Sequence, residues 1–317
     1  MNRIKQWWIV LFSLSLPGMV FAEREAEPYL LVASAFAGEL EAVLEAIEEE
    51  VILEVERVNG IEFLIGEAYG LPVIFFETQV GMTNAAMNTQ LALSRYPVEA
   101  VLFSGIAGGI NPELETGDVV VPRRWHYHDY GGYFNPEDQG GEGYPEGVEI
   151  YGYRYGFEYG NFEMFLPAKV PAMREGLEEA IRVPEFEADA EWLALAEAAA
   201  GELILKDAYG ETAEIALGGV GGSGNIFMDN AAFRVFMRET WGSDSVDMES
   251  TAVAQVCWSN RVPFLIVRSL SDLAGAQHGE NEMPKYMDNA WSNAGRLVAG
   301  ILEMKAEGRM KKEEGGE

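Results

Sequence analysis

The run Val262-Pro263-Phe264-Leu265-Ile266-Val267-Arg268-Ser269-Leu270-Ser271-Asp272 decides the fold class. Four consecutive apolar residues after a proline read as a central strand, buried on both faces as in a parallel sheet, with polar and charged residues gathered at its C-terminal end. Just upstream, Val246-Asp247-Met248-Glu249-Ser250-Thr251-Ala252 again puts acids where a strand ends and a helix begins. Open α/β sheets collect their ligand chemistry at that edge, so two acidic segments placed there point to a site.

Working outward, short apolar strands alternate with helical stretches. Residues 29–33, 73–78, 100–105, 118–122 and 215–219 read as strands. Leu40, Val43, Leu44 and Ile47 recur at helical spacing, and residues 81–96, 231–240, 249–260 and about 286–304 read as helices. The alternation predicts an α/β layered fold with a largely parallel sheet. No internal repeat is evident.

The ends and the composition set further bounds. Residues 1–22 combine an early Arg3 and Lys5, an almost uncharged apolar stretch, and Val20-Phe21-Ala22 before Glu23-Arg24-Glu25. This reads as a secretory signal peptide and predicts an exported, periplasmic or secreted protein; an uncleaved anchor is the alternative, for which the apolar stretch is short. No later stretch is apolar for long enough to span a bilayer, so no membrane association is expected after cleavage. Residues 23–308 form one expected domain, and residues 309–317 a charged tail that frays. The net charge is −30, and −32 without Arg3 and Lys5, which disfavours duplex nucleic acid and anionic membrane surfaces. Cys257 is the single cysteine, which excludes an intramolecular disulfide and a cysteine-based metal cluster.

One region departs from the alternation. From His126 to about Pro167 the chain is rich in Tyr, Phe and Gly, as in Tyr151-Gly152-Tyr153-Arg154-Tyr155-Gly156. An excursion this long with so many aromatics predicts a packed insertion near a pocket or a subunit interface; a decoration without function is the alternative.

Taken singly, the candidate site residues are ambiguous. Glu39, in Ser34-Ala35-Phe36-Ala37-Gly38-Glu39-Leu40, falls in a helix's first turn, where an acid often merely favours the dipole. Ser104-Gly105-Ile106-Ala107-Gly108-Gly109 supplies small residues that admit a ligand to the backbone, but it lacks the lysine of a phosphate-binding loop and the spacing of a dinucleotide fingerprint. Phe227, after the glycines of residues 218–224, is either core or a stacking surface for a planar ligand.

Together these segments resemble the 5′-methylthioadenosine/S-adenosylhomocysteine nucleosidases, within the wider nucleoside phosphorylase superfamily. The matching pieces are Ser34 to Leu40, Gly81-Met82-Thr83-Asn84-Ala85-Ala86, Ser104 to Gly109, Gly117-Asp118-Val119-Val120-Val121-Pro122, Tyr127-His128-Asp129, Ile226-Phe227-Met228, Val246 to Ala252 and Val262 to Asp272, in the family's order. The resemblance implies a three-layer α/β/α sandwich with a central mixed sheet. It implies cleavage of a purine N-ribosidic bond with Asp272 as general acid on the departing base, oriented by Ser271, and Glu249 on the ribose hydroxyls with Met248 against the sugar. Glu39 would position and deprotonate the attacking water with Arg268 nearby. Phe227 would stack on the base, the Met228 backbone would read its edge, and Ile106, Ala107 and Gly108 would line the cleft.

Phosphorolytic relatives bring an arginine to phosphate after the first strand, whereas this chain has Glu39 and no Arg or Lys between Pro28 and Arg57. A carboxylate there repels phosphate, which favours water as the nucleophile. Two departures stand out: Ile106 replaces a serine that helps hold the water, and Asn225 stands where an aspartate is usual. Two alternatives stay open, a phosphate-dependent phosphorylase and a non-catalytic exported nucleoside-binding protein like the related plant storage proteins, which carry a comparable Gly-Ile-Ala-Gly segment. The resemblance also implies a homodimer to which the aromatic insertion contributes. No metal or other cofactor is expected, since the three histidines fall short of a metal site.

Overall fold

The computed structural model describes residues 27–133, 165–277 and 279–314. The expected signal peptide and most of the aromatic insertion lie outside the described residues. Sixteen strands are described: β1 (Tyr29–Ser34), β2 (Glu50–Val58), β3 (Ile61–Ala68), β4 (Leu71–Glu77), β5 (Val98–Gly109), β6 (Val119–Val121), β7 (Arg124–Tyr127), β8 (Gly131–Tyr133), β9 (Phe165–Pro167), β10 (Val170–Ala172), β11 (Ile181–Val183), β12 (Phe186–Glu187), β13 (Ile215–Leu217), β14 (Val220–Ser223), β15 (Ser245–Asp247) and β16 (Phe264–Asp272). The described helices are α1 (Ala37–Ala46), α2 (Met82–Arg95), α3 (Ala190–Glu202), α4 (Ala231–Trp241), α5 (Ser250–Asn260) and α6 (Met283–Glu314).

Twelve strands form one sheet, with the path β12-β7-β14-β15-β5-β1-β4-β3-β2 and with β16 beside β5 and β6. Its centre is parallel, as the apolar runs predict: β1 pairs with β4 and β5, and β16 with β5. The sheet as a whole is mixed. The β2–β3–β4 meander is antiparallel, and the end of β5 pairs antiparallel with β15 through Gly108 and Gly109. Leu31, Val32, Phe75, Phe76, Leu102, Phe103, Leu265 and Ile266 on the central strands have no exposed surface. Helices α1 and α3 pack against α6, while α2 packs on α5, which gives the helical layers on the sheet. Among the described residues no helix is long and apolar enough to cross a membrane.

Three sequence expectations shift. The aromatic excursion begins later than His126, because Trp125 and His126 are buried in β7, which pairs with β12 and β14. Gly131–Tyr133 and Phe165–Pro167 then pair with each other and form the base of the excursion. At the other end, α6 does not stop near Met304; it runs to Glu314, helped by the Lys311–Glu307 pair one turn apart and by Arg309 on Glu27. Finally, α5 starts at Ser250, so Glu249 is its cap residue (φ −140°, ψ −42°) and not a member of its first turn.

Candidate active site

The C-terminal ends of β1, β5, β15 and β16 meet at a cleft of about 240 Å³. Glu39, Glu249, Asp272, Ser271, Met248, Phe227, Met228, Ile106, Ala107 and Gly108 all line it. Of the residues expected at the site, only Arg268 stands behind the lining, with no exposed surface.

Each acid is held by local structure. Glu39 sits in the first turn of α1, whose preceding residue Phe36 offers no side-chain cap. Its Oε2 reaches back to the Ala35 N–H (2.8 Å) and its Oε1 accepts the Ile106 N–H from β5 (2.8 Å). The dipole role expected of a first-turn acid is therefore joined to a cross-strand one. Glu249 accepts the Gly81 N–H at 2.7 Å. Gly81 has φ +97°, a conformation that favours glycine. Asp272 ends β16; its Oδ1 accepts the Ala274 N–H (2.8 Å) and its Oδ2 the Ser271 hydroxyl (3.0 Å). Asp272 caps a turn and opens onto the cleft at once.

Arg268 gathers Glu39, Asp247 and Glu249. Its Nε donates to Asp247 Oδ2 at 2.8 Å and to Ser250 Oγ at 3.0 Å, and its guanidinium lies over the Phe103 ring, 4.4 Å from the centroid. Nη1 is 3.8 Å from Glu39 Oε1, and Nη2 is 3.8 Å from Glu249 Oε2. A Cβ on Gly105 would lie 1.8 Å from Nη1 and 2.5 Å from Glu39 Oε1, so only glycine admits this approach. Burial raises the carboxyl pKa of Glu39, opposed by Arg268 and the two amides. Burial and then Asp247 push Glu249 up to about 7, against the pull of Arg268. Asp272 is also raised by burial, opposed by the Ala274 amide and the Ser271 hydroxyl. All three carboxyls therefore hold a proton more tightly than a free carboxylate does, and Glu249 titrates near neutrality.

At the mouth, Ile226 and Phe227 are about half exposed. Ile106 lines the cleft with an apolar side chain while its amide serves Glu39. Asn225 accepts the Met82 N–H through Oδ1 (3.3 Å), next to the Gly81 turn. The buried His126 bonds Ser243 Oγ at 2.8 Å and stacks on Trp241. The sequence assigns no role to Asp247, Ser250 or Gly81, although the acid two residues before Glu249 stands in the strand-end segment; Gly105, expected to admit a ligand to the backbone, instead makes room for the Arg268 and Glu39 side chains.

Residues 29–303 match the family model described as the Phosphorylase superfamily. A 5′-methylthioadenosine/S-adenosylhomocysteine nucleosidase of Bacillus thuringiensis is 31% identical over 271 residues, 83% of this chain and 97% of the relative. One of Bacillus cytotoxicus is 32% identical over 274 residues, with the same coverage. The chain belongs to this nucleosidase family. With membership comes the reaction class, hydrolysis of an N-glycosidic bond. Solved structures share the fold: the nucleosidase of Colwellia psychrerythraea in complex with adenine has a TM-score of 0.66 at 22% identity, covering 87% of this chain and 95% of its own. The futalosine hydrolase of Helicobacter pylori has a TM-score of 0.62 at 21% identity, covering 87% and 97%. This family member has the α/β layered architecture and mixed sheet that its sequence resemblance implies.

Proposed function

We propose that the cleft hydrolyses the N-ribosidic bond of a purine nucleoside of the methylthioadenosine or adenosylhomocysteine type and releases the free base. The observation that carries this reading is the convergence on one cleft of three buried carboxylates with open acceptor positions, Glu39, Glu249 and Asp272, the first two of which also flank an arginine already paired with Asp247. Asp272 holds the proton for the leaving base and Ser271 orients it. Glu249, with one oxygen on Gly81 and the other open, takes the ribose hydroxyls, and Met248 packs on the sugar. Glu39 positions and deprotonates the water. Phe227 covers the base, and the Met228 backbone reads its edge. The sugar's 5′ substituent meets apolar wall, with Phe36, Val80 and Met283 available in the lining.

Water is favoured over phosphate by the charge of the cluster. Glu39, Asp247 and Glu249 outnumber Arg268, so a phosphate dianion entering the site meets net repulsion. The chain is proposed to act as an exported homodimer, to be checked by the N-terminus of the mature protein and its mass in solution.

The reaction is tested by incubating the protein with methylthioadenosine, adenosylhomocysteine, adenosine, inosine and futalosine, with and without phosphate, and following free base. Base release without phosphate from the first two is the expected result. Release only with phosphate identifies a phosphorylase, and a nucleoside that raises the melting temperature without being cleaved identifies a binding protein.

A further inference from the structure

The acid at the centre of the charged cluster is not one of the three with open oxygens. A carboxylate offers about four lone-pair positions. Asp247 has all four occupied: Oδ1 accepts the N–H groups of Glu249 (3.1 Å) and Ser250 (3.0 Å), and Oδ2 accepts Arg268 Nε (2.8 Å) and the Ser250 hydroxyl. Glu249 accepts one such bond, and Glu39 and Asp272 accept two each. Although Asp247 borders the cleft, no lone pair is left for a sugar hydroxyl or a water.

Its bonds instead tie two functional side chains together. Oδ1 fixes the backbone at Glu249, and Oδ2 fixes Arg268. Ser250 completes the link, since its hydroxyl donates to Asp247 and accepts from Arg268 Nε. Nε is thus the anchored edge of the guanidinium, and its flat face rests on Phe103. Nη1 and Nη2 have no hydrogen-bond partner among the described residues and stand 3.8 Å from Glu39 and from Glu249, beyond hydrogen-bond reach. An unanchored arginine between two carboxylates closes a bidentate fork on one of them. That fork would fill the oxygens which, on the reading of the cleft as hydrolytic, receive ribose or water.

We propose that Asp247 and Ser250 are a positioning pair for the reaction: they hold Arg268 by Nε so that neither Glu39 nor Glu249 captures it. The pair acts through Arg268 and does not touch the substrate. In Asp247→Asn the amide oxygen can still accept the two backbone N–H groups, while its NH2 faces Nε as donor against donor, so the backbone bonds survive and the anchor is lost. Ser250→Ala removes half of the anchor without changing charge.

The test measures kcat/KM for methylthioadenosine against pH, together with melting temperature, for the parent, Asp247→Asn, Ser250→Ala, Arg268→Gln and the Asp247→Asn/Arg268→Gln double variant. Misplacement of a positioned group by about 1 Å costs on the order of 10²-fold, the loss expected for Asp247→Asn. Its acid limb moves to lower pH, both because the charge of Asp247 is gone and because an arginine released onto the glutamates lowers their pKa; Ser250→Ala, which keeps that charge, isolates the arginine's part. In the Arg268→Gln background the same change costs less than about 3-fold. Ser250→Ala loses up to about 10-fold, with its acid limb moving the same way. Losses that multiply in the double variant, or an unmoved acid limb with only a lowered melting temperature, overturn the proposal. If Asp247→Asn does not fold, an unchanged Ser250→Ala overturns it alone. If the parent cleaves no nucleoside, the hydrolase reading fails instead. The pair is then judged on methylthioadenosine affinity in the same variants, where additive effects of Asp247→Asn and Arg268→Gln count against it.

Discussion

Glu249 carries an energetic penalty that its proposed task explains. Its carboxyl is raised from 4.5 to about 7 by burial and by Asp247. The folded state therefore binds this proton more tightly than the unfolded chain. The penalty is absent well below pH 4.5, grows as pH rises from there, and is complete above pH 7. Glu249→Gln removes the charge and keeps the shape, so it is expected to raise the melting temperature at pH 8 by several degrees, to change it little at pH 4.5, and to abolish base release. A lowered melting temperature at pH 8 would show that the ionised side chain is stabilising. For Asp272 burial likewise raises the carboxyl pKa, the direction that its proposed role as proton donor to the leaving base requires. Asp272→Asn is expected to lose about 10²–10⁴-fold in turnover and to lose the alkaline limb of the pH profile. Undiminished base release would refute the assignment.

At the scale of elements, the site depends on how closely β5, β16 and α1 approach. Gly105 on β5 leaves room for the Arg268 and Glu39 side chains. On the far side of α1, Gly295 of α6 would place a Cβ 2.6 Å from the Ala42 carbonyl oxygen. Gly295→Leu must push α1 off α6, with a stability loss of about 1–3 kcal/mol by overpacking, read from denaturant melts. Gly105→Ala is expected to fold and to lose base release, because it displaces Glu39 and Arg268 while leaving the helix packing alone. The elements legible in the sequence were those whose apolar residues face the core, such as β1, β4, β5 and β16. The β2–β3 hairpin was not read, since Leu53 and Val55 of β2 are more than half exposed and hide the alternation. Its turn was nonetheless written in Asn59-Gly60, both at positive φ. Helix α3 escaped for a related reason, an alanine-rich run with weak periodicity, although Asp189 caps it through the Glu191 and Trp192 amides. Glu39 and Glu249 were legible because each follows a strand, and Asp272 because it ends one. Gly105 and Asp247 were not, because what they do is touch residues 66 and 21 positions away, which local pattern does not report.

Across the whole molecule, 52 acids against 22 bases leave a net charge of −30. That excess repels itself, and it also repels any anionic nucleophile approaching a cleft whose acids outnumber its arginine. Two effects of salt must then be separated. Screening weakens exposed repulsion once the Debye length falls to about 8 Å near 0.15 M, so the melting temperature is expected to rise between about 0.01 and 0.3 M sodium chloride at pH 7.5. Phosphate binding would add a specific increment at equal ionic strength, because a ligand that binds only the folded state stabilises it by mass action. Arg268 is fully buried with three carboxylates around it and offers phosphate no such site. Melting temperature and the rate of base release are therefore expected to be the same in phosphate as in chloride when ionic strength is matched. A phosphate-specific gain in either would mean that the arginine is available to an anion and that the attacking group is not water.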